Sequence, residues 1–575
     1  MIMKTAVKFF LFVIPIIIIN TMVCQAQNEN YLLGSNGQNH WVDSVYDKLS
    51  LHDKVAQLFF IRAHTNKGLA YEDSVANVIL KHHVGGIVFF QGGPVRQAAL
   101  TNRYQKLTKV PLLVAMDGEW GLGMRLDSTI SYPYQMTLGA IQNNSLIYKM
   151  GQQIAHDFKR MGVQINFAPD MDINNNPNNP VINYRSFGDN KYNVAEKGIA
   201  YMRGMQAGGL LCTAKHFPGH GDTNIDSHID LPLLPFTRTR LDTLEEYPFR
   251  QAVKAGISGI MVAHMDIPAL DNTKNLPSSL SKPIVTGVLK DSMGFKGLIV
   301  TDAMEMKAVE KYFPGGEADL KAFLAGDDII ELSENSAIGI ERIMNAIERR
   351  EISATELAIK VKKVLAAKYW AGLSVNKPIS KSSLVADLNK PECRYLVQQL
   401  SDAAVTLLKG NAHALQLYAF EKTAIVCVGA TGSTIFQQEL SQWYTNSQVF
   451  YVPKTATSEQ LNSLSAVLSQ FSQVYVGIFD SRPRPGSKLD YSPDLKQFVS
   501  DLARHQNSVI SVFANAYAIA GLPGIENCGA LLCCYQVNDE LQRSAVRVIT
   551  QLLKPTGKLP VRVNAYFPYG TGLSL

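Results

Sequence analysis

A parallel (β/α)8 barrel of the TIM type, followed by a smaller α/β sandwich, is the fold class this sequence predicts. Three observations carry that expectation. Between residues 55 and 332 about eight short apolar, β-branched runs alternate with polar turns and helix-like stretches, as in a parallel sheet covered on both faces. Charged residues gather at or just past the carboxyl ends of those runs, and in a closed barrel these ends converge on one face. At 575 residues, 46% of them hydrophobic, the chain exceeds one ordinary domain, and a second alternation begins after residue 393.

Taken in order, the chain opens with Lys4 and Lys8, an apolar stretch over 9–19, and Cys24-Gln-Ala26. This has the form of an export leader cut after residue 26, so a periplasmic or extracellular protein is expected. The stretch is shorter than the roughly 20 residues of a membrane-spanning helix, and no stable insertion is expected after cleavage. A lipid anchor on Cys24 is the alternative, although Val23 suits the position before a lipidated cysteine poorly. The other cysteines sit among apolar strand residues, as in Ala530-Leu-Leu-Cys-Cys-Tyr535, which suggests buried thiols rather than disulfides or a zinc site.

The barrel is expected over 36–372, its strands at 55–63, 84–90, 111–116, 164–168, 210–214, 259–263, 297–301 and 328–332. Its last helix has a capping-box start at Ser353-Ala-Thr-Glu356, an apolar stripe of Leu357, Val361, Val364 and Leu365, and Gly372 where a C-terminal cap belongs. Residues 373–392, rich in Ser, Lys and Pro, read as a surface linker. Runs at 423–429, 448–453, 473–479, 508–514 and 529–535 then predict an open α/β sandwich over 393–575. Its turn Gly429-Ala-Thr-Gly-Ser433 lacks both the dinucleotide spacing and the Lys-Ser/Thr of a phosphate loop, so no nucleotide site follows. The net charge of +6 is not clustered, which argues against a nucleic-acid partner and leaves a small molecule, bound by a monomer.

The densest chemistry lies in Lys215-His-Phe-Pro-Gly-His-Gly-Asp-Thr-Asn-Ile-Asp-Ser-His228, where Pro218 and the glycines forbid a continuous helix. Asp226 and His228, one serine apart, can share a hydrogen bond that fixes the imidazole tautomer, giving either an acid/base pair or a structural loop tie. His216 and His220 have the spacing of a helical zinc pair, but Pro218 and Gly219 break the helix such a pair needs, and no metal is expected. Asp302, in Gly297-Leu-Ile-Val-Thr-Asp-Ala-Met-Glu-Met306, is either a cap on the next helix or a nucleophile at the barrel mouth. Asp117, Arg125, Arg185, Lys215 and His216 are groups able to clamp a polyhydroxylated ligand through charge-assisted hydrogen bonds. Asp170, Asp172, His264 and Asp266 are further strand-end polar residues. Trp120 either stacks on a sugar face or packs under its loop.

These motifs resemble glycoside hydrolase family 3, and more narrowly its bacterial β-N-acetylglucosaminidase branch. Lys215-His-Phe-Pro-Gly-His-Gly221 with Asp226-Ser-His228 resembles that branch's signature, and Gly297 to Met306 resembles the segment bearing the family's nucleophile. Residues 401–408 with Lys554-Pro-Thr-Gly-Lys-Leu-Pro-Val561 are similar to its second domain. The resemblance implies Asp302 as nucleophile and His228, oriented by Asp226, as general acid/base. It implies Asp117, Arg125, Arg185, Lys215 and His216 as sugar binders, supported by Asp172 and His264, with no cofactor. The implied activity is exo-acting, retaining removal of N-acetylglucosamine from cell-wall fragments or chitin oligosaccharides. A β-glucosidase, a phosphorylase of the same family and a non-catalytic sugar-binding protein are the alternatives. Gly118 and Trp120 depart from the glutamine and glycine expected after the strand aspartate.

Overall fold

The computed structural model describes residues 36–575 apart from 228, 376, 416–421, 483–488 and 506. The leader 1–26, Cys24 and His228 therefore lie outside the described residues. Eight parallel strands form the first sheet: β1 (Phe59–Ala63), β2 (Gly86–Phe89), β3 (Leu113–Met116), β4 (Ile165–Asn166), β5 (Leu211–Phe217), β6 (Gly259–Val262), β7 (Leu298–Thr301) and β8 (Ile330–Glu331). Their order, β7-β6-β5-β4-β3-β2-β1-β8, follows the chain except for the β1–β8 pairing that begins closure. The seam between β7 and β8 is bridged at Val300–Ile329, where Thr301 N donates to Ile329 O over 3.0 Å. Because helices cover the outside, the strand residues of β2, β3, β5, β6 and β7 are buried throughout.

Two boundaries differ from expectation. The first predicted strand, 55–63, is half helix: Leu51–Ala56 is helical, capped by Ser50, whose Oγ accepts from Asp53 N over 3.1 Å. Val55 and Ala56 are buried at the end of that helix, and a short apolar run reads the same in a buried helix and a buried strand. In the opposite direction, β5 runs three residues past the predicted end, through Lys215, His216 and Phe217, so the charged pair closes the strand. The last barrel helix, Ala354–Trp370, starts at Ser353, whose side chain accepts from Glu356 N, and chain reversal follows at Gly372 with φ +81°.

The segment after Gly372 is tied to the barrel: Asn102 exchanges two hydrogen bonds with Ile379, and Arg160 pairs with Asp387 and donates to Ser380 O and Ser382 O. The second sheet contains β9 (Thr406–Lys409), β10 (Thr423–Val428), β11 (Gln448–Val452), β12 (Gln473–Phe479), β13 (Ser508–Phe513) and β14 (Ala530–Cys533). Its order is β11-β10-β12-β13-β14-β9, parallel except for the edge strand β9, which runs against β14. All six described cysteines are buried and free. Loops after β13 and β14 reach the mouth of the barrel: Asn515 Nδ2 donates to Asn183 Oδ1 over 2.7 Å, and Gln536 Oε1 accepts from Tyr134 N over 2.8 Å.

Candidate active site

A cavity of about 560 Å³ opens at the carboxyl ends of the barrel strands. Asp117, Arg125, Arg185, Lys215, His216, Asp226 and Asp302 all line it. The site is where this topology puts ligands, because the strands supply rigid ends and the loops supply side chains.

The floor is an unbroken chain of ion pairs. Arg125 Nη2 donates to Asp117 Oδ2 over 2.6 Å, and Lys215 Nζ donates to Asp117 Oδ1 over 2.7 Å. Lys215 Nζ also lies 2.9 Å from Glu119 Oε1, and Arg185 grips Glu119 with Nη2 at 2.6 Å and Nε at 3.0 Å. Burial alone would raise the pKa values of Asp117 and Glu119; Lys215 and Arg125 hold Asp117 far below the carboxylate range, and Arg185 with Lys215 holds Glu119 at about 2. Burial opposes the charge on Lys215, but Asp117 and Glu119 overcome it and raise its pKa. Three cations and two carboxylates thus stay charged and fixed, presenting both donors and acceptors to hydroxyls.

Behind this floor sits a second set of residues. Arg185 Nη2 lies 3.3 Å from His216 Nε2, and His216 Nδ1 lies 2.7 Å from Asp172 Oδ2. An arginine has no acceptor, so His216 accepts at Nε2 and donates from Nδ1, which commits both ring nitrogens. Asp172 is fully buried and also accepts from the backbone N–H of His216 (3.1 Å) and of His220 (2.6 Å). It orients the wall of the cavity rather than forming it, because its oxygens are spent on the end of β5 and the turn that follows. Asp170, Asp172 and His216 come close enough together to surround a cation. The fit is poor: the His216 nitrogens and Asp172 oxygens are engaged, and Arg185 stands 3.9 Å from Asp170. Burial, with Asp172 adding to it, raises the pKa of Asp170 well above the ordinary range.

Asp302 follows β7 directly, its N–H donating to Val262 O over 2.9 Å. It does not cap the next helix, which spans Lys307–Glu310 and begins after Met306. Its Oδ1 instead accepts from Ala303 N over 2.8 Å, while the carboxyl group borders the cavity. His264 does not line the cavity; it is buried beneath, Nδ1 2.7 Å from Ser279 Oγ and Nε2 3.1 Å from Ala303 O. Its contact is with the backbone that holds Asp302, so the expected direct support of a ligand becomes support of a strand end. On the opposite wall, Asp226 and Ser227 border the cavity, and Ser227 Oγ is 3.2 Å from His220 Nε2. Gly221 lets this loop lie on the barrel, since a Cβ there would stand 1.7 Å from Ile173 O.

Trp120 borders the cavity and packs edge-on against Tyr134 at 4.9 Å between ring centroids. Gly118 has no room for a glutamine, because even a Cβ would meet Phe158 Cζ at 2.3 Å.

A model described as the glycosyl hydrolase family 3 N-terminal domain matches residues 50–367. The chain belongs to glycosyl hydrolase family 3. Among its relatives in that family, "Beta-hexosaminidase A" of Pseudoalteromonas piscicida is 32% identical over 372 residues, covering 59% of this chain and 61% of the relative's length. "Beta-hexosaminidase LpqI" of Mycobacterium tuberculosis is 30% identical over 335 residues, covering 56% of this chain and 83% of the relative. A family 3 β-N-acetylglucosaminidase structure from Paenibacillus sp. str. FPU-7 superposes with a TM-score of 0.75 at 31% identity, over 90% of this chain and 99% of that one.

The cavity residues of this family 3 chain that escaped the sequence reading include Arg62, Glu119, Tyr184, Glu305 and Glu331. Glu119 lies in Asp117-Gly-Glu-Trp-Gly121, and a charged residue between two glycines straight after a strand-end aspartate was the available signal. Arg62, next to last in β1, forms an ion pair with Glu305 and lies over the Phe90 ring at 4.2 Å, beside Arg125 at 4.6 Å.

Proposed function

We propose that this chain is an exo-acting, retaining β-N-acetylglucosaminidase that releases non-reducing-end N-acetylglucosamine from cell-wall fragments or chitin oligosaccharides. The observation that carries this reading is the presence of Asp302 and Asp226 on one polar cavity, from the seventh strand and from the loop after the fifth. A volume near 560 Å³ suits one sugar with part of its aglycone. In the proposed mechanism Asp302 attacks the anomeric carbon while His228, held by Asp226, gives its proton to the departing glycosidic oxygen. A glycosyl ester on Asp302 results. His228, now neutral, takes a proton from water, which opens the ester and restores the original configuration. Asp117, Arg125, Arg185 and Lys215 bind the sugar hydroxyls, His216 borders the sugar and holds Arg185 in place, and no cofactor enters. No described helix is long and apolar enough to cross a membrane. Export through a leader ending at Ala26, action as a monomer, and division into a barrel over 36–372, a linker over 373–392 and a second domain over 393–575 belong to the same proposal.

The test is a side-by-side assay of aryl β-N-acetylglucosaminide and aryl β-glucoside, with and without phosphate, following products by NMR. The expected result is preference for the N-acetylglucosaminide, first release of the β-anomer, and no glycosyl phosphate. Preference for the glucoside, or a sugar phosphate as main product, would replace this reading with one of its family alternatives.

A further inference from the structure

The inward-facing position at the carboxyl end of β8 holds an acid that the proposed mechanism leaves unused. Glu331 is 3% exposed and lines the cavity. Its backbone is fixed on both sides: its N–H donates to Thr301 Oγ over 2.9 Å and its carbonyl accepts from Met304 N over 2.9 Å. Its side chain, in contrast, has no hydrogen-bond or ion-pair partner among the described residues, and Oε2 is fully buried without one. The charged groups that act on it most strongly are Asp117 after β3, Asp302 after β7, Lys215 from β5 and Arg62 from β1, and Arg125, Glu305 and Lys307 line the same cavity. Both cations that act on it are already engaged, Arg62 with Glu305 and Lys215 with Asp117 and Glu119. An ionised Glu331 would therefore be a third carboxylate beside Asp117 and Asp302 with no cation of its own.

We propose that Glu331 is a further substrate-binding residue, which faces the bound sugar as a neutral carboxylic acid and donates its O–H to a ring oxygen substituent. The inference rests on the glycosidase reading above. Every other acid of the cavity floor is an acceptor held charged by a cation; Glu331 supplies a donor without adding charge near the reacting carbon. Burial first, then Asp117 and Asp302, raise its pKa well above the ordinary value, in keeping with that state. As pH rises and the proton leaves, the donor is lost and a repulsive charge appears, so turnover falls on the alkaline side.

The experiment is a profile of kcat/KM from about pH 5 to 10 with a dinitrophenyl β-N-acetylglucosaminide, for the full-length wild type, Glu331→Gln and Glu331→Ala. So activated a leaving group needs no general acid, which removes the imidazole's own alkaline limb from this parameter. The expected wild-type profile falls at high pH. Glu331→Gln, whose amide still donates, should lose roughly two- to fivefold at neutral pH and should lose the alkaline limb altogether; Glu331→Ala should lose roughly tenfold, the scale of one hydrogen bond to substrate. Circular dichroism and thermal melts confirm that each variant is folded, and a purely structural acid would alter the melts without moving the pH profile. A wild-type profile flat to pH 10, a limb that survives in Glu331→Gln, or Glu331→Ala within twofold of wild type each overturns the proposal while leaving the glycosidase reading intact. Absence of turnover by the wild type overturns that reading, and this one with it.

Discussion

Replacing Lys215 by methionine removes the central cation of the cavity floor while keeping an unbranched side chain one atom shorter. The lysine is 2% exposed at its side chain and contacts Asp117 at 2.7 Å and Glu119 at 2.9 Å. Removing one partner of a buried pair typically costs about 3–5 kcal/mol, because the other charge stays buried without compensation. Here each carboxylate keeps an arginine, Arg125 on Asp117 and Arg185 on Glu119, so the expected loss is at the lower end, about 3 kcal/mol. Equilibrium urea unfolding, read by tryptophan fluorescence and circular dichroism, measures it. The loss should depend on pH. Both carboxylates have folded pKa values below their ordinary ones, so their stabilisation is complete above about pH 4.5 and fades as pH falls through the folded value, about 2 for Glu119. The gap between Lys215→Met and wild type should therefore be widest near neutrality and close in acid. In a double-mutant cycle, Asp117→Asn should cost at least about 1 kcal/mol less in the Lys215→Met background than in wild type. A Lys215→Met loss under about 1 kcal/mol, or strict additivity in the cycle, would refute the reasoning.

Other variants probe the walls. Gly221→Ala places a methyl group 1.7 Å from Ile173 O, a backbone atom that cannot swing aside, so the Asp226 loop must shift. The expected result is a stability loss of about 1–3 kcal/mol and a larger fall in kcat than in KM, read from steady-state kinetics and melts. His264→Phe removes the contact with Ala303 O and leaves the Ser279 hydroxyl without its imidazole; a loss of about 1–3 kcal/mol and a several-fold drop in kcat with little change in KM are expected. Unchanged kcat in His264→Phe would show that the strand end carrying Asp302 is held by other contacts.

Much of this architecture was legible because a closed parallel barrel leaves a repeated mark in sequence: buried runs, each ending in a polar residue. Six of the eight barrel runs needed only trimming and 210–214 had to be extended through Phe217, whereas 55–63 joined a helix end to a strand, since burial masks the difference in period. The edge strand β9 was missed because four residues following the helix Pro391–Ala404 offer no alternation to read. In the cavity, residues with opposite charge and obvious motifs were recoverable, but depth was not. Asp172 and His264 carry the same letters as Asp117 and His216 and stand one layer further back. The run 328–332 contains two acids of very different fate. Asp328 pairs with Lys363 at 2.7 Å, and Glu331, three positions on and so turned to the other side of the strand, faces the cavity. Only packing decides which acid meets a cation, and packing is set by the neighbouring strands.

The most direct test of the proposed chemistry is to trap the glycosyl ester. The full-length protein is treated with 5-fluoro-N-acetylglucosaminyl fluoride, digested, and sequenced by tandem mass spectrometry. The account requires one added fluorosugar, on the peptide containing Gly297 to Met306 and attached at Asp302. A label on any other carboxylate, or turnover of the reagent through a pathway that leaves Asp302→Ala fully active, would contradict it.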